Sequence, residues 1–433
     1  MSSSDSSDSS GPYVHSKLLD EPMPLVSSSS DDDTDVNTIA VIAEAAHFMF
    51  QNTASSSVPR HRTFLHRDRE TAEQQLMADY FVPNSKFGDV LFRNRFRMSR
   101  RLFVRIAEDL EMNYPMFQTS YNAGGVKGFT GLQKCTLTIR QLGGASTPDS
   151  LDEYLNMSER TSRESLYNFC YGVVQLYGAE YMRRPTSSDI QLLYAAHEAK
   201  HGFPGMLGSI DCTHWDWRSC PTYLRGQYMR GDHGYPTIIL EAVASYDLWI
   251  WHSYFGVAGG NNDLNVLYQS PLFNDTILGT APSRSFVLEG EEYKHGYYLA
   301  DGIYPNWATF VKSFSHPITP KKKRFKAAQE AARKDVERAF GVLKAKWAII
   351  RQPARSVEVD QCKYIMYACL ILHNMIIQDE GRAICPEHVP DSPNEQEVSL
   401  DMILEIRNQG IHQKLLADLV DHIEHTYIAT LDH

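Results

Sequence analysis

Between Tyr297 and Trp347 the sequence sets a short apolar strand, a turn and a long helix end to end, and this stretch restricts the fold most. YYLADGIY reads as a strand that delivers Asp301 at its end. After the basic run KKKRFK, the segment AAQEAARKDVERAFGVLKAKW carries apolar residues at helical spacing, with Val336, Ala339, Phe340 and Leu343 on one face and Glu337 beside it. An apolar helical stripe has to be covered by another layer. The layer is supplied upstream. GMLGSID reads as a strand ending in Asp211, and TIILEAVASYD with LWIWHSYFGVAGG reads as a hairpin closed before a glycine turn. NNDLNVLYQ reads as a capped helix with Asp263 near its start. The expectation is an α/β fold, a sheet flanked by helices with acids at strand ends.

Ahead of the strands the pattern is helical, from about Asn84 to Gly202. TGLQKCTLTIRQLGG stops on two glycines, and Thr161 with Glu164 suggests a capping box opening a helix that buries Leu166, Phe169, Cys170, Val173 and Val174. Helix, turn, short helix, turn, helix is the outline of a helix-turn-helix, with Arg160, Ser162 and Arg163 where such helices meet DNA. A plain helical bundle gives the same pattern. The chain divides into a disordered acidic tail (1–58), a basic linker (59–83), an all-helical, helix-turn-helix-like domain for DNA binding or dimerisation (84–202), an α/β domain (203–378) and an acidic segment with an amphipathic helix broken at Gly410 (379–433).

Charge follows these divisions. The net charge is -11, but residues 1–58 hold nine acids against Lys17 and residues 379–433 hold twelve against Arg382, Arg407 and Lys414, which leaves the middle at +6. A basic body between acidic ends suits a polyanion partner; an acidic soluble protein with a solvated tail is the plainer reading. Seven scattered cysteines with no CxxC pair predict neither a disulfide framework nor a zinc ribbon. No secretory signal is legible, and the longest apolar stretch, Ile39–Phe50, is interrupted and too short to span a bilayer.

Three carboxylates on strand ends and a helix suit hard divalent ions, Mg²⁺ or Mn²⁺. Two ions roughly 4 Å apart activate an attacking oxygen and stabilise a leaving one. Asp211, Asp301 and Glu337 are the candidate catalytic and metal-binding residues. Each has a plainer role: a turn cap before Thr213, a strand-end turn before Gly302, an i,i+4 partner for Arg333. The cations around Glu337, namely Lys321, Lys322, Lys323, Arg324, Arg333, Lys334 and Arg338, are candidate phosphate contacts together with Arg160 and Arg163. KKKRFK also reads as a nuclear-import signal. Asp232 and Asp263 are spare carboxylates; His373 reads as a hydrogen-bonded core residue, and neither a phosphate-binding glycine loop nor a serine nucleophile elbow is present.

At GSIDCTHWDW, GQYMRGDHGYPTIILEAVASYDLWIWHSYFGVAGG, YYLADGIYPNWATFVKS, ARKDVERAFGVLKAKW and ACLILHNMI the chain resembles the plant PIF/Harbinger transposases, close to the Ping/Pong branch, and the nuclease-like proteins derived from them. The resemblance covers roughly 200–378 and implies an RNase H-like mixed sheet with a DDE triad, placed on Asp211, Asp301 and Glu337. It also implies a helical N-terminal region and a Myb/SANT-like partner encoded by the same element. The expected activity is that of a DNA transposase: metal-dependent cleavage of phosphodiesters at terminal inverted repeats, then joining of the 3′-hydroxyl to a short target site. Two ends to be cut imply at least a homodimer in the nucleus. The alternatives are a domesticated nuclear scaffold or chromatin regulator without cleavage, and a nuclease without strand transfer.

Overall fold

The central sheet has five strands: β1 (Met206–Asp216), β2 (Thr237–Ala244), β3 (Ile250–Ala258), β6 (Tyr297–Ala300) and β7 (Phe310–Lys312), in the order β3-β2-β1-β6-β7. The first three form an antiparallel meander, and β6 and β7 add in parallel to β1. A separate hairpin pairs β4 (Phe286–Leu288) with β5 (Glu291–Tyr293). In this computed structural model, residues 67–231, 233–278, 281–282, 284–389 and 400–431 are described. The expected disordered tail, the start of the linker and Asp232 lie outside the described residues.

The expected hairpin is β2–β3, with Ile238 opposite Ala258 and the register shifting after Ile239 and after Val243. β1 differs from expectation: it does not end at Asp211 but runs on to Asp216, because Thr213, His214 and Trp215 continue the ladder opposite Leu240, Ile239 and Ile238. Trp215 and Trp217 then anchor the far end, donating indole hydrogen bonds to the carbonyls of Gln352 and Ser356, each at 2.7 Å. Gly208 is required where β1 meets β2, since a Cβ there would stand 2.6 Å from the Ala244 carbonyl oxygen.

Ahead of the sheet come α1 (Arg69–Leu76), α2 (Asp89–Phe96), α3 (Arg100–Asn113), α4 (Gly131–Gly144), α5 (Glu159–Tyr181) and α6 (Ser187–His201). Part of the stretch expected as linker is therefore helical. It buries Ala72, Leu76 and Tyr80, and Asp79 accepts from the Tyr154 hydroxyl at 2.8 Å. The predicted face of α5 is buried, but its N-cap is Ser158 rather than Thr161, and the helix begins three residues earlier. The helices and the sheet belong to one unit, Arg69–His433. Asn374 shows how they are tied: fully buried on α9 (Val359–Asp379), its amide donates to the carbonyls of Tyr181 and Ile250 at 2.8 Å and accepts from the Ile250 N–H at 3.0 Å.

Two helices cover the β6–β7 side. α8 (Pro320–Lys346) starts at a Thr319 cap with Pro320 in its first turn, so the basic run KKKRFK forms the first turns of the helix. α11 (Gln409–Leu431) follows α10 (Leu400–Ile406); the break falls at Arg407–Asn408, where the Asn408 side chain accepts from the Ile411 N–H, and not at Gly410. Leu415, Leu419 and Val420 of α11 pack with Phe325, Met206 and Tyr297. Each such side chain contributes about 1.5–3 kcal/mol on burial.

A candidate acidic site on beta1, beta6 and alpha8

The first two acids follow the parallel pairing of β1 with β6. Ser209 pairs with Leu299 across the parallel β1–β6 ladder, and two residues further along each strand stand Asp211 and Asp301. Both acids lie beyond the last paired residues of this ladder, at the same end of it. Asp211 thus sits mid-strand and Asp301 just past the end of β6.

Helix α8 is pinned across the same strands by its polar side chains. The Gln329 amide donates to the carbonyls of Ala300 and Val311, both at 3.1 Å, and the Ser209 hydroxyl accepts from the Val336 N–H at 3.1 Å. Lys344 donates to the Thr213 hydroxyl at 2.7 Å. Between these anchors the helix turns Arg333 and Glu337 toward β1. The Arg333 guanidinium lies 3.2 Å from one Asp211 oxygen and 2.9 Å from a Glu337 oxygen. The i,i+4 pair is present, and the same arginine reaches across to the sheet.

Asp211 is a poor anion in this setting. Burial pushes its carboxyl up to about 6, the charges of Asp263 and Glu337 push the same way, and the Cys212 N–H and Arg333 oppose them. Asp263, in the first turn of α7 (Asp263–Gln269), is likewise raised, first by burial and then by the charges of Asp301 and Glu241. It is a fourth acid of the group, and its one sequence signal was the Asn-Asn-Asp cap after the glycine turn. Lys312, opposite Ala300 on β7, sequence reasoning missed: its ammonium donates to the Tyr304 carbonyl at 2.7 Å, with Asp301 opposing the downward shift that burial imposes. Asp301 is exposed, and its carboxylate accepts from the Gly302 N–H at 2.7 Å.

As the side chains stand, no three His, Cys, Asp or Glu among the described residues are disposed to hold a metal ion. The Arg333 guanidinium pairs with both Asp211 and Glu337. The donor chemistry nevertheless fits a hard cation: carboxylate oxygens, two of them already facing one positive charge.

The other predicted cations divide into bound and free. Lys321 pairs with Asp421 and Arg324 with Glu424, Arg338 pairs with the buried Asp335, and Lys322 lies over the Phe314 ring. Lys323 and Lys334 are exposed and make no ion pair among the described residues. Arg160 and Arg163 pair within their own helix, with Glu164 and Glu159, and Ser162 is buried under the Gln141 amide. His373 is the expected core histidine, bonded to the Leu248 carbonyl at 2.9 Å. All seven cysteines are free thiols, and no helix among the described residues is long and apolar enough to cross a membrane. A cavity of about 880 Å³ lies elsewhere, between α4, α5 and the segment 352–357, and shares no residue with the acids.

Residues 179–384, which include all four acids, match the family described as plant transposon protein. The matches support a Harbinger-derived, transposase-like family. The chain is similar to the protein ALP1-like of Arabidopsis thaliana, 20% identical over 68% of this chain and 72% of that one. It is similar also to the Arabidopsis thaliana protein named antagonist of like heterochromatin protein 1, at 22% over 68% of this chain and 74% of that one. Residues 73–111 match a domain of unknown function, and no solved structure matches.

Proposed function

We propose that this chain acts on DNA as a metal-dependent phosphodiester-transfer enzyme of the DDE type, built on an RNase H-like sheet. The observation that carries the reading is Arg333, whose guanidinium joins Asp211 of β1 to Glu337 of α8, beside a parallel β1–β6 ladder after which Asp301 follows. Supporting it is the sheet itself, an antiparallel meander extended by two parallel strands, crossed on one face by the helix bearing the third acid.

Asp211, Asp301 and Glu337 would hold Mg²⁺ or Mn²⁺, and such ions would supply charge neutralisation and Lewis-acid polarisation of a phosphodiester. The chain's own side chains account for the rest. Arg333 neutralises the acids until they are needed and then stands within reach of a phosphate. Lys323 and Lys334, free on the exposed side of α8, hold the DNA backbone. Terminal inverted repeats as substrate, a 3′-hydroxyl joined to target DNA, a Myb/SANT-like partner, a homodimer and a nuclear location belong to the same reading.

A second reading has its own support: a chromatin-associated protein that binds DNA or its partners without cutting. It is favoured by the guanidinium already seated between two of the acids and by the heterochromatin term in one relative's name. Purified chain incubated with supercoiled DNA and Mn²⁺ separates the two. Nicking is expected for the wild type and absent for Asp301→Ala. Nicking that survives Asp301→Ala ends the catalytic assignment, and DNA bound but uncut under every ion selects the second reading.

A further inference from the structure

On the segment that joins β1 to β2, residues 217–236, cations and aromatic rings stand exposed together. Tyr223 is 84% exposed, Tyr235 48% and Met229 40%. Arg218 and Arg225 are exposed as well, and neither forms an ion pair among the described residues. The Arg218 guanidinium lies 4.3 Å from the centre of the Tyr235 ring. Across 218–236 the sequence sets three arginines against one acid, Asp232, a net +2.

The loop is braced at its base. The Trp217 N–H donates to the Pro236 carbonyl at 2.7 Å, which closes it, and the buried Tyr228 ring meets Trp217 edge-on at 4.9 Å. The Gly260 N–H donates to the Gln227 carbonyl at 3.1 Å. A Cβ on Gly259 would stand 2.7 Å from the Tyr228 carbonyl oxygen and one on Gly260 2.6 Å from that of Gln227, so the glycine pair lets the loop lie against this turn. Tyr223 and Tyr235 are therefore outward on a fixed frame. Arg230 connects the frame to the acids: it stands 3.4 Å from the His214 ring, and its charge opposes the rise of Asp263.

Exposed rings beside unpaired guanidinium groups match the chemistry of a single nucleic-acid strand. Bases offer π-faces and phosphates offer charge, whereas duplex bases are already stacked on one another. We infer that the β1–β2 loop is a grip for unpaired nucleic acid, in which Tyr223 and Tyr235 stack on bases while Arg218 and Arg225 neutralise the adjoining phosphates. The inference rests on the DNA-acting reading above and adds to it a site for the strand freed near the acids.

The test uses the full chain with EDTA present, so cleavage plays no part. Binding is read by fluorescence anisotropy with a labelled plain duplex and with the same duplex carrying an unpaired tail. Tyr223→Ala and Tyr235→Ala are each expected to weaken binding of the tailed DNA about 10-fold and of the plain duplex less than about twofold. The double substitution Arg218→Gln with Arg225→Gln weakens both and lowers the salt slope by about two. Both tyrosines are exposed, so unchanged thermal melting verifies the fold of the variants. If the wild type binds DNA and the tyrosine variants bind the tailed form equally well, the grip is wrong and the DNA reading stands. If the wild type binds neither DNA, both fall; a loop that instead captures only a protein partner also overturns the grip.

Discussion

Replacing Asp211 by Asn should make the protein's stability less sensitive to pH, by an amount the site's electrostatics set. The carboxyl of Asp211 has its pKa raised from 3.8 to about 6 in the folded chain. The folded state then binds more protons than the unfolded state between those values, so stability falls as pH rises through the window. The shift corresponds to about 3 kcal/mol of destabilisation when both states are ionised, above about pH 7, about half of it developed by pH 5 and little of it below pH 4. Asparagine keeps the shape and removes the titration. Loss of the Arg333 ion pair, which opposes the gain, is already counted in the net shift of the wild type. Urea unfolding of both proteins in EDTA at pH 5, 6, 7 and 8 gives the difference in stability, from which effects independent of pH cancel. The asparagine protein should gain relative to the wild type by about 1–1.5 kcal/mol between pH 5 and pH 8. Mg²⁺ in excess should shrink that gain, because an ion bound to Asp211 stabilises only the wild-type carboxylate. A flat difference, or one of opposite sign, would falsify the assignment of Asp211 as a buried, repelled acid and make it an ordinary partner of Arg333.

Other substitutions probe the scaffold. Gln329→Leu removes the two hydrogen bonds that hold α8 to β6 and β7, so it should cost about 1–2 kcal/mol and reduce cleavage, read by urea unfolding beside the nicking assay. Retained stability with lost cleavage would mean that Gln329 positions rather than supports. Asp335→Asn leaves the His201 ring without its buried carboxylate partner at 2.8 Å and should lower stability by about 1.5–3 kcal/mol at pH 6. Gly208→Ala forces β1 away from Ala244 and should cost roughly 1–3 kcal/mol, with a melting temperature equal to wild type counting against the close approach.

The sequence carried the local facts. Apolar alternation and β-branched runs marked the β2–β3 hairpin, the stripe through Val336 and Phe340 marked α8, and the buried face of α5 was legible residue by residue. The strand and helix patterns that bear Asp211 and Glu337 were legible as well. Cap positions were less so: Thr161 carries the capping-box pattern, yet Ser158 caps α5.

What tertiary structure alone decided was which charges meet. Arg333 and Asp211 are 122 positions apart, and no spacing rule joins them. The clamping of Lys321 and Arg324 by Asp421 and Glu424 of α11 is likewise invisible in a basic run and an acidic tail considered separately. A side chain's titration and its freedom to bind a partner depend on the dielectric and the charges within a few ångströms. Those neighbours come from the register of β1 on β6 and from the way α8 crosses it, which pairing over long distances in the chain fixes and local pattern does not.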